Sequence, residues 1–213
     1  MAVLTEAQRQ FFDENGYLLV SGLIPPEIVA EAQQTAERIL AEQAGKTFFG
    51  TREFNTCYTP ALCDAAAALG GEPERGAYYP VYSALAIITY PSEGEWTMPY
   101  PHIDHSIKED NHRVFPRPYR LASMLYLSDI EPHGGGTVVW PQSHKQIEAL
   151  AESDREHYAL MYTLGSELDK AGLGEPVELT AQAGDILFYH YLTAHAGSKN
   201  TTTRPRLGFN HKW

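Results

Sequence analysis

The sequence predicts a mixed α/β protein of the all-β-core type, with N-terminal helices leaning on an antiparallel β-sandwich or barrel and one helical insertion between strands. Three observations predict it. Up to about residue 70, apolar residues recur at helical spacing between capping signals. From about Tyr82 the apolar runs become short and β-branched or aromatic, with Gly, Pro and Asn between them. Residues 146–171 return to helical spacing. The 213 residues suit one domain with a sizeable core, and 1–213 is read as a single domain.

Taken in order, Thr5-Glu6-Ala7-Gln8 fits a capping box and Gly16 a helix stop, so the first helix lies between them. Tyr17 to Val20 reads as a strand. Pro25-Pro26 opens a longer helix to about Ala44, with Ile28, Val29, Ala32, Ala36, Ile39 and Leu40 on one side and Gly45 after it. Residues 60–69 form another short helix. The strand-like runs follow: SALAIITY, RLASMLYLS, GTVVWP, DILFYHY and RLGFNHKW. Between the third and fourth, Ile147, Leu150, Ala151, Tyr158, Met161, Leu164 and Leu168 mark the insertion. The chain carries no internal repeat and no low-complexity tract.

A formal net charge of −11 argues against a nucleic-acid partner, which needs clustered Lys and Arg, and against an anionic membrane surface. No apolar run is long enough for a transmembrane helix. The start, MAVLTEAQRQFFDENG, has Glu, Gln and Asp where a signal peptide would be basic and then apolar, which predicts a cytoplasmic location. Cys57 and Cys63 form no CxxC and read as small packing residues in a reducing compartment.

The chemistry concentrates in PHIDHS, residues 101–106. On a strand, His102 and Asp104 face one way and Ile103 the other. An imidazole and a carboxylate so placed supply two neighbouring positions of one metal. A second histidine would complete the two-His-one-carboxylate face that leaves sites open on Fe(II). His190 and His195, in GDILFYHYLTAHAGSKN, are the candidates. If that run continues as one strand and pairs antiparallel with RLGFNHKW around GSKNTTTRP, His195 lies opposite Arg206 and His190 opposite His211. The odd separation of 190 and 195 turns them to opposite faces. His195 is preferred, because an Arg beside a metal ligand can grip a carboxylate bidentately.

These blocks resemble the phytanoyl-CoA dioxygenase family of Fe(II)/2-oxoglutarate-dependent oxygenases. LTEAQRQFFDENGYLLVSGLIPPEIV is similar to the family's N-terminal helix-strand-helix, and HID to its metal motif. GGGTVVWPQSHK is similar to its strand ending in a Pro-x-Ser-His turn. AGDILFYHYLTAHAGSKNTTTRPR is similar to its distal His motif with an Arg eleven positions later. The resemblance implies a double-stranded β-helix (jelly-roll, cupin-like) core. It implies iron held by His102, Asp104 and His195, and 2-oxoglutarate held at its far carboxylate by Arg206, with help from Thr137. Some relatives place a Gln three residues before the first ligand; here that position is Pro99, and Tyr90 is the expected replacement. Asp104 is intact, unlike the small residue of halogenating relatives.

The implied activity is hydroxylation of a C–H bond in a small-molecule substrate, using O2 and releasing succinate and CO2. No protein general base is required. Trp96, Met98 and Tyr100, in the loop before the ligands, are the expected pocket wall; Tyr58, Tyr79, Tyr82, Trp140 and Trp213 are further aromatics, most of them core. His105, one step past Asp104, is expected to turn away, His144 to fix a turn, and His112, His133 and His157 to be exposed. His133-Gly134-Gly135-Gly136 copies the HGGG of esterases, but the chain holds no GxSxG elbow, so it reads as a tight turn. Two other classes remain: a non-catalytic metal-binding jelly-roll module, and a cupin-type metalloenzyme that does not use 2-oxoglutarate and has no need of Arg206.

Overall fold

The structure, a computed structural model, describes residues 3–42, 45, 47–50, 53–71 and 85–213. Tyr79, Tyr82 and the first two residues of SALAIITY lie outside the described residues.

Helix α1 (Glu6–Asn15) starts at the capping box read from the sequence: Thr5 Oγ1 accepts from the Gln8 N–H and Gln8 Oε1 accepts from the Thr5 N–H. It stops at Gly16, whose φ of 78° is left-handed. Strand β1 (Tyr17–Val20) and helix α2 (Pro26–Glu42) follow. Then come β2 (Phe48–Gly50) and α3 (Pro60–Gly70), the latter capped by Thr59 Oγ1 on the Leu62 N–H.

The remaining strands are β3 (Leu85–Thr89), β4 (Leu121–Tyr126), β5 (Thr137–Val139), β6 (Val177–Glu178), β7 (Ile186–His190), β8 (His195–Gly197) and β9 (Arg206–Lys212). They form two antiparallel sheets. The larger has the order β1-β7-β4-β9-β3-β2 and the smaller β6-β5-β8. Among the described residues no helix is long and apolar enough to cross a membrane.

The alternation of the central strands creates two cores. Leu121 and Leu125 of β4, Ile186 and Phe188 of β7, and Phe209 and Trp213 at the C-terminus pack on α1, α2 and α3, together with Cys57 and Cys63. Ala122, Met124 and Tyr126, with Leu187 and Tyr189, face the smaller sheet instead. Strand β4 is buried on both faces, so its sequence is a continuous run without polar alternation.

Two expectations are corrected. The insertion over 146–171 is a pair of short helices, α4 (Ser143–Ser153) and α5 (Met161–Ser166), followed by a 3₁₀ turn at Leu168–Ala171. The polar stretch around Asp154 interrupts the helical spacing, and the Asp154 carboxylate accepts from the His157 N–H.

The larger correction concerns DILFYHYLTAH, which is not one strand. It leaves the large sheet after His190, turns at Thr193 (Thr193 N–H to His190 O, 2.8 Å), and enters the small sheet at His195. Gly16 explains why the turn sits there. Its carbonyl accepts from the His190 N–H at 2.8 Å and from the Thr193 hydroxyl at 2.6 Å. A Cβ at position 16 would come within 2.3 Å of the His144 ring, so only glycine admits this approach. Strand β9 therefore pairs with β3 and β4, and Arg206 lies opposite Thr89, not His195.

Candidate metal centre and its cavity

The two histidines meet across strands, by a route different from the expected hairpin. His102 and His195 form an antiparallel bridge, each N–H donating to the other's carbonyl, at 2.9 and 3.0 Å. Directly opposed residues project their side chains to the same face; the ring centroids are 4.5 Å apart. Ile103 is fully buried in the core between the sheets. The chain then turns, with Ser106 Oγ donating to the Ile103 carbonyl at 2.8 Å, and this brings Asp104 back toward the histidines. Its Oδ2 lies 3.5 Å from His195 Nε2. One ligand atom from each of His102, Asp104 and His195 falls within 4.8 Å of the others, a group that could hold a metal ion.

The protonation states suit that use. His195 Nδ1 sits 2.9 Å from the Thr193 carbonyl, a contact that orients the ring with Nε2 toward Asp104. His102 is exposed where it lines the cavity, yet desolvation by the surrounding protein, and then the neighbouring His195, lower it to about 4, so it is neutral at pH 7. Burial alone would raise Asp104. Lys212, then His195, outweigh it and hold the carboxyl well below the usual range.

The three residues line a cavity of 340 Å³ shared with Leu85, Ile87, Met124, Thr137 and Arg206. Arg206 is buried (3% exposed). Its Nε donates to the Gly135 carbonyl at 2.8 Å, which gives the HGGG turn a definite role. Its Nη1 is buried and has no hydrogen-bond partner among the described residues. Burial lowers its pKa, the mark of a cation held out of water. A Cβ at Gly208, one pleat along β9, would come within 3.2 Å of Nη1 and 2.8 Å of Met124 Sδ, so glycine keeps the guanidinium's space open. Thr137 Oγ1 accepts from the Tyr126 hydroxyl at 2.8 Å, leaving its own proton to donate. A larger groove of 560 Å³ lies on the other side of Arg206, but Thr137, His102, Asp104 and His195 line only the smaller cavity.

His102, Asp104, His195, Arg206 and Thr137 thus converge. The other sequence-predicted residues do not. The Tyr90 hydroxyl accepts from the Gly45 N–H at 3.3 Å, and Tyr90 is not on the cavity wall. Trp96 stacks on His133, with centroids 4.5 Å apart. Met98 is 45% and Tyr100 93% exposed, because the loop runs along the outside before His102 joins β8. The walls are Leu85, Ile87, Ile107 and Met124 instead. His105 was expected to turn away. Its φ of 62° breaks the strand alternation and puts it on the cavity wall. His190 behaves as the odd offset predicted, packing beside His144 with ring centroids 5.2 Å apart. His133 and His157 are exposed and His112 is half-buried, while the buried His144 ring contacts the Asp13 carbonyl.

Sequence reading missed Lys212, Tyr189 and Asn210. The Lys212 ammonium pairs with Asp104 Oδ2, which also accepts from the Tyr189 hydroxyl at 3.0 Å. Asn210 bridges the two, donating to Tyr189 and accepting from Lys212, both at 2.5 Å. The signal was available: counting in twos from Arg206 passes Gly208, Asn210 and Lys212 on one face of β9.

Known proteins share this fold. SnoK, described as a non-heme alpha-ketoglutarate-dependent carbocyclase from nogalamycin biosynthesis, superposes with a TM-score of 0.70 at 17% identity, covering 100% of this chain and 85% of SnoK. The epimerase SnoN, solved with Fe3+, alpha-ketoglutarate and nogalamycin RO, gives 0.71 at 20%, covering 97% and 82%. EctD from S. alaskensis, with 2-oxoglutarate and 5-hydroxyectoine, gives 0.61 at 20%, covering 99% and 76%. At these identities the likeness is one of fold. No curated protein matches the chain. The phytanoyl-CoA dioxygenase (PhyH) family profile matches residues 12–208, nearly the whole chain, and the chain belongs to that family.

Proposed function

We propose that this protein is an Fe(II)- and 2-oxoglutarate-dependent dioxygenase that hydroxylates a C–H bond of a small molecule and releases succinate and CO2. The carrying observation is the buried Arg206, its Nη1 without a hydrogen-bond partner among the described residues, in the same cavity as the His102-Asp104-His195 group. An unpaired buried cation is costly, and a carboxylate reaching it is the natural remedy. A cupin-type metalloenzyme without 2-oxoglutarate has no use for that arrangement.

In this reading His102, Asp104 and His195 hold iron, and Arg206 binds the far carboxylate of 2-oxoglutarate with the Thr137 hydroxyl beside it. Iron with 2-oxoglutarate supplies the activation of O2 and the oxidative decarboxylation. The protein does the rest. Arg206 and Thr137 orient the cosubstrate, Tyr126 holds the Thr137 hydroxyl, and Leu85, Ile87 and Met124 form apolar walls that place the substrate carbon. Two structural neighbours are described as an epimerase and a carbocyclase, so substrate placement decides between hydroxylation and those outcomes. The two facing antiparallel sheets are consistent with a double-stranded β-helix core. Residues 1–213 are proposed to act as one unit, in the cytoplasm, with neither nucleic acid nor membrane as partner.

The test is succinate formation in air with Fe(II) and 2-oxoglutarate. The expected result is slow succinate release without substrate, accelerated by a small molecule that fits the cavity. Metal binding with no succinate under any condition favours the non-catalytic module instead.

A further inference from the structure

Lys212 is a buried charged residue of the cavity for which the proposed chemistry has no use. It is buried on the last pleat of β9, its ammonium 5.3 Å from the Tyr119 ring centroid and 5.5 Å from that of Tyr189. Asn210 Oδ1 holds it from one side and Asp104 Oδ2 accepts from it on the other. That carboxylate oxygen is also the one 3.5 Å from His195 Nε2.

We propose that Lys212 is the resident counter-cation of the metal site, competing with the metal for Asp104 and holding metal affinity below what His102, Asp104 and His195 would give alone. The inference rests on reading those three residues as a metal-binding set. A buried carboxylate without a partner is an anion in search of a cation; Asp104 already has one. An incoming divalent ion must take Oδ2 from the ammonium, or share it, and then lie beside a positive charge in a poorly solvated place. Tyr189 differs: it donates to the same oxygen without adding charge, so it orients Asp104 and does not compete. The arrangement makes a metal centre that is preformed but loosely filled. Lys212 is a positioning residue here, acting through Asp104.

The experiment is Mn(II) titration of the full chain, without 2-oxoglutarate, following free Mn(II) by electron paramagnetic resonance. Wild type is compared with Lys212→Met, which keeps length without charge, and Lys212→Gln, which keeps a polar head for Asn210; circular dichroism checks the fold. Both variants are expected to bind Mn(II) about tenfold or more tightly, since they leave Asp104 without its cation. They are also expected to show a larger rise in melting temperature on adding Mn(II). Equal or weaker binding in whichever variant folds overturns the proposal and would mark Lys212 as structural. Should wild type and both Lys212 variants all fail to bind Mn(II), or His102→Ala bind it as tightly as wild type, the metal-site reading itself falls, and this inference with it.

Discussion

Arg206→Ala is expected to raise the half-saturating concentration of 2-oxoglutarate by a hundredfold to several thousandfold, while the protein stays folded. Breaking a buried charge-assisted pair costs about 3–5 kcal/mol, and each 1.4 kcal/mol is about tenfold. The fold should tolerate the change because Arg206 does little for it. Among the described residues its side-chain polar contacts are one bond from Nε to the Gly135 carbonyl and a 6.0 Å approach to the Tyr126 ring, and Nη1 has no hydrogen-bond partner. Truncation removes a buried cation that costs stability in the ligand-free protein. Arg206→Lys should fall between, since an ammonium keeps the charge but loses the fork. Succinate yield against 2-oxoglutarate concentration measures both, with melting curves beside them. An unchanged half-saturation in Arg206→Ala would move the cosubstrate carboxylate to another residue, Arg204 being the nearest in sequence.

The second large effect separates two histidines five residues apart. His195→Ala is expected to lose metal binding by about a hundredfold or more, because even groups that only support a ligand are worth about 10–100-fold. His190→Ala should bind metal like the wild type. The difference comes from the turn at Thr193. His195 bridges His102 across the small sheet, whereas His190 ends β7 in the large sheet and packs against His144. Burial, and then His144, lower His190 to about 3, the behaviour of a neutral packed imidazole. Titration with Mn(II) distinguishes them, and the reverse pattern would refute the site.

How much of this was legible in the sequence differs by element. The capping box at Thr5, the glycine stop at Gly16 and the short apolar, β-branched or aromatic runs of the large sheet could be read directly, because each is local chemistry. His102, Asp104, His195 and Arg206 were expected together, and the fold brings them to one cavity. The reason offered for joining His195 to Arg206 was wrong, however: a hairpin register cannot reveal that a chain changes sheets, since the cause lies in a contact from Gly16, far away in sequence. The pocket wall failed for a similar reason. Trp96, Met98 and Tyr100 precede the ligands in the chain, but the cavity is walled by β3, β4 and the segment after Asp104. Lys212 was missed because a terminal Lys reads as a solvated charge. Only counting pleats from Arg206 shows that it faces inward.

One measurement tests the central claim most directly. Under strict exclusion of oxygen, Fe(II) is added to the metal-free protein, then 2-oxoglutarate, and the visible spectrum is recorded. The account predicts a metal-to-ligand charge-transfer band that requires both additions, is lost in His195→Ala and is weakened in Arg206→Ala. A spectrum that shows iron bound but no band at saturating 2-oxoglutarate would contradict it. The His102-Asp104-His195 group would then serve some other metal chemistry, and Arg206 would need a different anion.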